Sequence, residues 1–316
     1  MSDRTPTDLN LQQLRVFLVL GDELHFGRAA ERLVLSQPYV SRSLAALERR
    51  IGGRLMERTS RRVSLTPLGE AFHAELSTAY QDLGRAFDRV RATASGLRGV
   101  LVVGCTTTTA GAALTALVST FEEDHPNYRV RLRELPLNHP YAALHAGAVD
   151  VLVFWLPAEQ GCDSGPVIDR QEMVLAMRSG HPLSHRETLS IEDVADYGTP
   201  AMAQVAGPAS VQRKLWPSET PGGRPVPRYG SPSVTMSEMM DFVARSDAVK
   251  PTVVSVANAN AHRLDLVFRP IGDLSPLELG PIWQAGRASE PIEALASSAR
   301  KVGSGLKAVP RPPAKS

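Results

Sequence analysis

The sequence predicts an N-terminal all-α winged helix-turn-helix with a long linker helix, followed by an α/β domain of two Rossmann-like lobes. Three observations predict this fold. Apolar residues recur at helical spacing through the first 94 residues, and the later segments alternate buried-strand runs with helical ones. The length of 316 residues also suits about two domains. We place the winged helix-turn-helix at 9–66, the linker helix at 67–95, the two-lobed domain at 96–302 and a disordered tail at 303–316.

The composition is that of an ordinary globular protein, with 43% hydrophobic and 22% charged residues. The N-terminal residues have neither the basic region nor the apolar core of a secretion signal. No segment approaches the ~20 apolar residues of a membrane span. Two cysteines, Cys105 and Cys162, match neither a disulfide framework nor a zinc spacing. We therefore expect a cytoplasmic protein with no membrane partner, no metal and no cofactor.

The charge is unevenly distributed along the chain. The formal net charge is only +2, yet the segment from Val34 to Arg62 holds seven arginines against Glu48 and Glu57. A basic patch on a nearly neutral chain indicates one surface that meets a polyanion.

A capped first helix precedes a pair of helices. Asn10 is placed to cap the first helix, which has an apolar stripe from Leu11 to Leu20. Residues 26–52 then predict two helices joined by a short break at Val34 and Leu35. Ser36 is a suitable N-cap for the second of them, and a proline follows in its first turn.

That second helix divides into an apolar and a polar face. The positions predicted to face inward are Val40, Leu44, Leu47 and Ile51. The positions left outside are Gln37, Ser41, Arg42 and Arg49. Insertion of a helix into the DNA major groove requires this division into an anchoring and a hydrogen-bonding face. The alternative is a small helical hairpin with a solvated basic face.

A short hairpin follows the helix pair. Apolar and polar residues alternate over 55–58 and 62–66, as in two strands joined by residues 59–61. This predicts a wing beside the second helix of the pair, which we call the recognition helix. Arg61 and Arg62 near its tip could reach phosphate or the minor groove. The alternative is an arginine cluster kept in solvent.

The linker helix is predicted from Pro67 to about Ala94. Its apolar residues recur at steps of three or four, close to a heptad seam: Leu68, Phe72, Leu76, Ala79, Leu83, Phe87 and Val90. A solitary helix of this length cannot bury such a stripe in a small domain, which predicts a dimerisation helix. Packing against its own chain is the alternative.

The rest of the chain alternates strands and helices. A βαβαβ unit runs from Val100 to Phe154 and calls for a parallel sheet. The second unit is less regular. Its predicted strands are Glu172–Met177, Gly198–Met202, Pro251–Val256, Leu264–Pro270 and Pro281–Trp283, and its main helices are Val234–Arg245 and Pro291–Val302.

In this order of elements the chain resembles the LysR-type transcriptional regulators, over residues 9–302. The most specific stretch runs from Leu14 to Gly69 and includes Phe-Gly-Arg-Ala-Ala-Glu-Arg-Leu, Leu-Ser-Gln-Pro-Tyr-Val-Ser-Arg-Ser-Leu and Val-Ser-Leu-Thr-Pro-Leu-Gly. The second half agrees more loosely, through residues 172–175, 179–183 and 268–271. It departs where Ser246-Asp247-Ala248-Val249 replaces a Gly-x-Gly-Val pattern, which leaves ligand contacts of that loop open.

The resemblance implies a homodimer or homotetramer that binds double-stranded DNA at an imperfect palindrome. The DNA-contacting positions of the family fall on the start of the recognition helix and on the wing: Gln37, Pro38, Ser41, Arg42, Arg61 and Arg62. Glutamine suits bidentate contact with adenine, and arginine suits guanine or phosphate.

The resemblance also implies a periplasmic-binding-protein-like domain that binds a small-molecule effector between its lobes. The expected contacts are Thr106, Thr107 and Thr108, with a further one near Met202. The turn precedes a helix N-terminus, which favours an anion. Helix capping with β-branched filler is the alternative for the threonine run.

Three other functions are weighed against this one. An enzyme is not expected, because the chain has no nucleophile elbow, Walker loop or metal triad, and His139, His145, His181 and His185 lack metal-ligand spacing. A redox sensor using Cys105 and Cys162 would need their Cα atoms within about 7 Å. Constitutive repression without an effector stays open.

Overall fold

The computed structural model describes residues 10–58, 63–94, 96–106, 111–137, 139–202, 207–233 and 235–305. The chain divides after Phe87 into two compact units, each described by itself. Within the described residues, no helix has both the length and the hydropathy needed to cross a membrane.

The first unit begins with three helices, α1 (Leu11–Glu23), α2 (Phe26–Leu33) and α3 (Gln37–Ile51). Asn10 caps α1 as predicted, since its side chain accepts from the backbone N–H groups of Gln12 and Gln13. Apolar residues from all three helices form one core, including Val16, Phe17, Leu20, Ala29, Leu33, Val40, Leu44 and Leu47. The helix pair of the sequence prediction is confirmed.

Two details of α3 differ from the prediction. Ser36 occupies the N-cap position, but its side chain makes no capping hydrogen bond. Ile51, expected to face inward, is 39% exposed, because the helix ends there and the chain turns away at Gly52.

The wing consists of the antiparallel strands β1 (Met56–Arg58) and β2 (Val63–Leu65). Arg61 and Arg62 at its tip lie outside the described residues. One continuous helix, α4 (Pro67–Ala94), follows over the predicted span. Near its start, Phe72 stacks on Phe17 at 5.3 Å between ring centroids, and Leu76 is buried in the core of the unit.

The first lobe of the second unit contains a sheet in the order β4 (Tyr128–Glu134), β3 (Gly99–Cys105), β5 (Val151–Trp155), β13 (Leu277–Gln284), β6 (Cys162–Ser164). Strand β7 (Asp169–Gln171) also pairs with β13. The β3, β4 and β5 strands are parallel, as the βαβαβ pattern predicts, and β13 is antiparallel to β5. Helices α5 (Gly111–Asp124), α6 (Pro140–His145) and α11 (Glu290–Gly305) belong to this lobe.

The second lobe has β8 (Met173–Arg178) at the centre of an antiparallel sheet, between β11 (Lys250–Val253) and β12 (Leu266–Pro270). A parallel pair, β9 (Thr199–Met202) and β10 (Arg228–Ser233), lies apart from that sheet. The helices are α7 (Val194–Tyr197), α8 (Ala209–Leu215), α9 (Met236–Ala244) and α10 (Val254–Ala259).

Three boundaries in this unit differ from the prediction. The strand expected to reach Val256 ends at Val253, where α10 begins. Residues 204–229, to which the sequence assigned no element, contain α8 and the start of β10. Helix α11 continues to Gly305, and the remaining tail lies outside the described residues.

Candidate DNA-binding surface and effector site

The start of α3 presents the polar face that the sequence predicted. Gln37, Pro38 and Arg42 are exposed, and Ser41 is half-buried. The Arg42 Nε atom donates to the Pro38 carbonyl of its own helix at 3.3 Å, and Arg49 makes the same bond to Ala45. In the described part of the chain, neither Arg42 nor Arg49 has a carboxylate partner. The Arg42 guanidinium can therefore turn toward a polyanion without breaking an ion pair.

The basic residues of α2 are arranged differently. Arg28 pairs with Glu23 at 3.2 Å, while Arg32 pairs with Glu23 at 3.0 Å and with Asp22 at 3.4 Å. Acidic residues at the end of α1 thus offset the charge of α2. Among the described residues, the arginines of α3 that make no ion pair are Arg42 and Arg49.

Glu48 has a structural role that the sequence reasoning missed. Its Oε1 accepts from the backbone N–H groups of Leu55 (2.8 Å) and Met56 (3.1 Å). The carboxylate therefore fixes the first residues of the wing to the recognition helix. In the sequence, Glu48 stands out only as one of two acidic residues among seven arginines between Val34 and Arg62.

The Thr-Pro-Leu-Gly motif joins the wing to α4. The Thr66 hydroxyl donates to the Arg54 carbonyl at 2.8 Å and accepts from the Gly69 N–H at 2.9 Å, which caps α4. A β-carbon on Gly69 would lie 2.0 Å from the Leu55 carbonyl oxygen, so only glycine allows this close packing. The motif therefore has a structural role, which is to form the junction between the wing and α4.

The predicted effector residues are described only in part. Thr106 is buried directly after β3, and Met202 is buried at the end of β9. Thr107 and Thr108 lie outside the described residues. Thr106 therefore belongs to the first lobe and Met202 to the second.

A small cavity of about 10 Å³ lies between the two lobes, roughly the volume needed for one water molecule. The first lobe contributes Leu137 and Trp155 to its lining, and the second lobe contributes Trp216 and Lys250 among others. Lys250 is fully buried, donates from Nζ to the Leu215 carbonyl, and lies 4.1 Å from the centroid of the Trp216 ring.

The cavity places an amino group in apolar surroundings. Burial lowers the pKa of Lys250 well below its usual range, and the nearby charge of Arg228 lowers it further. Among the described residues, no carboxylate pairs with the Lys250 amino group. This arrangement has no signal in the sequence, because Lys250 is the first residue of a strand, where a solvated lysine is usual.

The loop that departs from the family pattern is held by its own lobe. Asp247 accepts from Arg178 Nε at 2.8 Å, and its carbonyl lies 3.2 Å from Nε2 of His181. The Ser246 hydroxyl accepts from the Ala248 N–H at 3.3 Å. These bonds fasten the loop to the end of β8.

The two cysteines do not form the redox pair considered above. Cys105 on β3 lies opposite Val153 on β5, and Cys162 on β6 lies opposite Gln284 on β13. Three inter-strand steps of about 4.8 Å separate β3 from β6, well beyond the reach of a disulfide. Burial raises the pKa of both thiols, with Glu134 adding to the effect at Cys105 and Glu159 at Cys162. The hypothesis of an intramolecular Cys105–Cys162 switch is wrong for this fold.

Two family models match the chain. Residues 11–70 match the bacterial regulatory helix-turn-helix proteins of the LysR family, and residues 94–304 match the LysR substrate binding domain. Their boundaries agree with the helix-turn-helix, wing and two lobes described above.

Curated relatives point the same way. The HTH-type transcriptional regulator AlsR of Bacillus subtilis is 30% identical over 217 residues, which are 69% of this chain and 72% of that protein. A probable hydrogen peroxide-inducible genes activator of Mycobacterium xenopi is 37% identical over 55% of this chain and 92% of that protein.

The fold is also that of a solved regulator. The crystal structure of CbnR, a LysR family transcriptional regulator, superposes with a TM-score of 0.64 at 22% identity, covering 93% of this chain and 99% of that one. With the family models matching both units, the chain belongs to the LysR family of bacterial helix-turn-helix transcriptional regulators.

Proposed function

We propose that this regulator inserts the start of α3 into the DNA major groove and responds to a small anionic effector bound between its two lobes. The observation that carries the DNA part is the guanidinium of Arg42 on the exposed face of α3, which has no carboxylate partner among the described residues. Gln37 would pair with adenine, Arg42 with guanine or phosphate, and Ser41 and Pro38 would lie against the groove wall. Arg61 and Arg62 on the wing would contact phosphate.

Dimerisation through α4 supports the same function. Leu83, Phe87 and Val90 are 50%, 69% and 71% exposed in the single chain, although they continue the heptad seam. A second copy of α4 would cover this stripe and place two recognition helices about 34 Å apart, on an imperfect palindrome. Pairs of dimers would give a homotetramer. Because the proposed partner is bacterial DNA, the protein would act in the cytoplasm.

The anionic character of the effector is supported by Lys250. A buried amine without a carboxylate partner is destabilising, and an anion entering the cavity would restore its charged form. Thr106, Thr107, Thr108 and Met202 would line the remainder of the site, with the N-terminus of α5 adding its partial positive charge. A cavity of about 10 Å³ requires the lobes to separate before such a ligand enters.

Footprinting on the DNA immediately upstream of the protein's own gene tests the DNA assignment. We expect two-fold-related protection by the wild-type protein and its loss in Arg42→Ala, because a bidentate base contact is removed. The matched control is Arg28→Ala, which removes an exposed arginine already paired with Glu23. Equal affinity of wild type and Arg42→Ala for a protected site, or equal losses in both variants, would reject the assignment.

The effector assignment is tested by repeating the footprint with a panel of small carboxylates. We expect at least one to alter the protected region or the affinity, and Thr106→Val to blunt that response without changing affinity in its absence. An identical response of Thr106→Val and wild type would remove Thr106 from the site.

A further inference from the structure

We propose that His145, Glu159 and Cys162 form a binding site for a divalent transition metal ion of the zinc class in the first lobe. None of the three lines the cavity between the lobes or the DNA-binding surface. The site is therefore additional to the proposed effector site.

The three donors already lie close together. A ring nitrogen of His145, a carboxylate oxygen of Glu159 and Sγ of Cys162 are all within 4.8 Å of one another, and no other such trio occurs among the described residues. His145 Nε2 is 2.5 Å from Glu159 Oε1. A zinc ion with bonds of about 2.0–2.1 Å to nitrogen and oxygen would require these two atoms to separate to about 3.3 Å.

The backbone holds the donors in place although they come from separate segments. His145 is the last residue of α6, Glu159 lies in the loop after β5, and Cys162 begins β6. The Cys162 N–H donates to the Glu159 carbonyl at 3.2 Å, which closes the turn that carries both ligands. The site therefore needs only side-chain adjustments to bind an ion.

Gln284 fixes the histidine relative to the cysteine. Its Nε2 donates to the carbonyls of Leu144 and His145, each at 2.8 Å. The same residue pairs directly with Cys162 across the β13–β6 ladder. One side chain on β13 thus links the end of α6 to the strand that carries the thiol.

The donor set selects the class of metal. Imidazole, carboxylate and thiolate together match zinc and the neighbouring transition metals, whereas magnesium and calcium prefer oxygen ligands. Three protein ligands leave a fourth coordination position for water. That position is accessible from solvent, because the His145 side chain is 48% exposed. The alternative is a surface His145–Glu159 pair with an uninvolved thiol beside it.

Cobalt titration separates these two possibilities. Full-length protein, stripped with a chelator and kept reduced, is titrated with Co²⁺ and then with Zn²⁺. We expect one equivalent to bind with a thiolate-to-cobalt charge-transfer band in the near ultraviolet, and Zn²⁺ to displace it. Cys162→Ser should abolish the band and weaken binding by more than about 100-fold, since loss of a direct ligand exceeds the usual effect of an outer-shell change.

Cys105→Ser provides the matched control, because it removes the other half-buried thiol, which is not near the trio. It should bind cobalt as the wild type does. His145→Asn at an exposed helix end should retain the fold and lose affinity. Absence of a saturable band in the wild type, its survival in Cys162→Ser, or its loss in Cys105→Ser would overturn the proposal.

Discussion

Gly21 on α1 lies directly against the imidazole of His73 on α4, so that a β-carbon at position 21 would stand 2.4 Å from the ring. His73 Nε2 lies 3.0 Å from the Leu18 carbonyl and 3.3 Å from Oδ1 of Asp22. The missing side chain of Gly21 therefore makes room for the group that joins the first helix to the linker helix.

Gly21→Ala should destabilise the DNA-binding unit by about 1–3 kcal/mol, because the added methyl displaces the His73 ring from its hydrogen bonds. The matched control is Gly84→Ala in α4, where the new β-carbon meets nothing within 4 Å. That variant should gain roughly 0.5–1 kcal/mol, since alanine favours helix. Urea unfolding of both variants checks the contrast. Equal effects would mean that the Gly21–His73 contact is not tight.

His73 should make stability depend on pH in one direction. The hydrogen bond with Asp22 raises the His73 pKa above 6.5, so the folded state favours the protonated ring. This contribution is fully present below the unfolded pKa and is lost as pH rises through the folded pKa. The stability difference between wild type and His73→Gln should therefore be larger at about pH 5.5 than at about pH 8. A difference that is constant with pH would contradict this.

Val34 should be a position where substitution stabilises the protein. This β-branched residue ends α2 with φ of 56°, in the left-handed region, and its side chain is 91% exposed. Val34→Gly should raise the free energy of unfolding by about 1 kcal/mol, since glycine adopts this conformation without the steric cost. Val34→Ala keeps a β-carbon and should gain less. A loss of stability in Val34→Gly would show that valine is not strained there.

Phe87→Asp should convert the proposed dimer to monomers, because it places a charge in the exposed seam of α4. Leu264→Asp is the control, since Leu264 is 83% exposed and belongs to the second lobe and not to α4. Molar mass by light scattering over a range of protein concentrations measures both. An unchanged mass for Phe87→Asp would remove α4 from the dimer interface.

Lys250→Met should stabilise the protein at neutral pH by about 1–3 kcal/mol, because an apolar side chain of similar length replaces a buried amine. Burial lowers the folded pKa of Lys250, so the cost of keeping lysine is full below that pKa and vanishes near the unfolded value of about 10.4. The gain of the variant should therefore shrink as pH rises toward 10, as urea unfolding can measure. A gain in stability that does not change with pH would mean that burial does not lower the pKa of Lys250.

Features built from neighbouring residues could be predicted from the sequence. The helix pair, the wing strands and the full span of α4 follow from apolar spacing, which is set within a few turns of backbone. At the end of α3 the prediction is wrong. The apolar spacing places Ile51 in the core, yet Ile51 is 39% exposed, because periodicity alone does not show where a helix leaves the core.

Features built from distant residues could not be predicted. His145, Glu159 and Cys162 have no metal-ligand spacing in the chain and meet only because α6, a loop and β6 converge. Lys250 is fully buried in a cavity that it lines together with Trp216 and with Trp155 of the other lobe, both of them distant from it in the sequence. Glu48 fixes a turn that starts seven residues later, through a bond that no local pattern reports.

The recognition helix, the wing and the first turns of α4 are held rigidly together by the hydrogen bonds of Glu48 and Thr66 and by the close contact at Gly69. A rotation of the start of α4 would therefore rotate α3 and the wing with it as one rigid body. The angle at which two linker helices pair would then set the spacing of the two half-sites directly, without any change inside the DNA-binding unit.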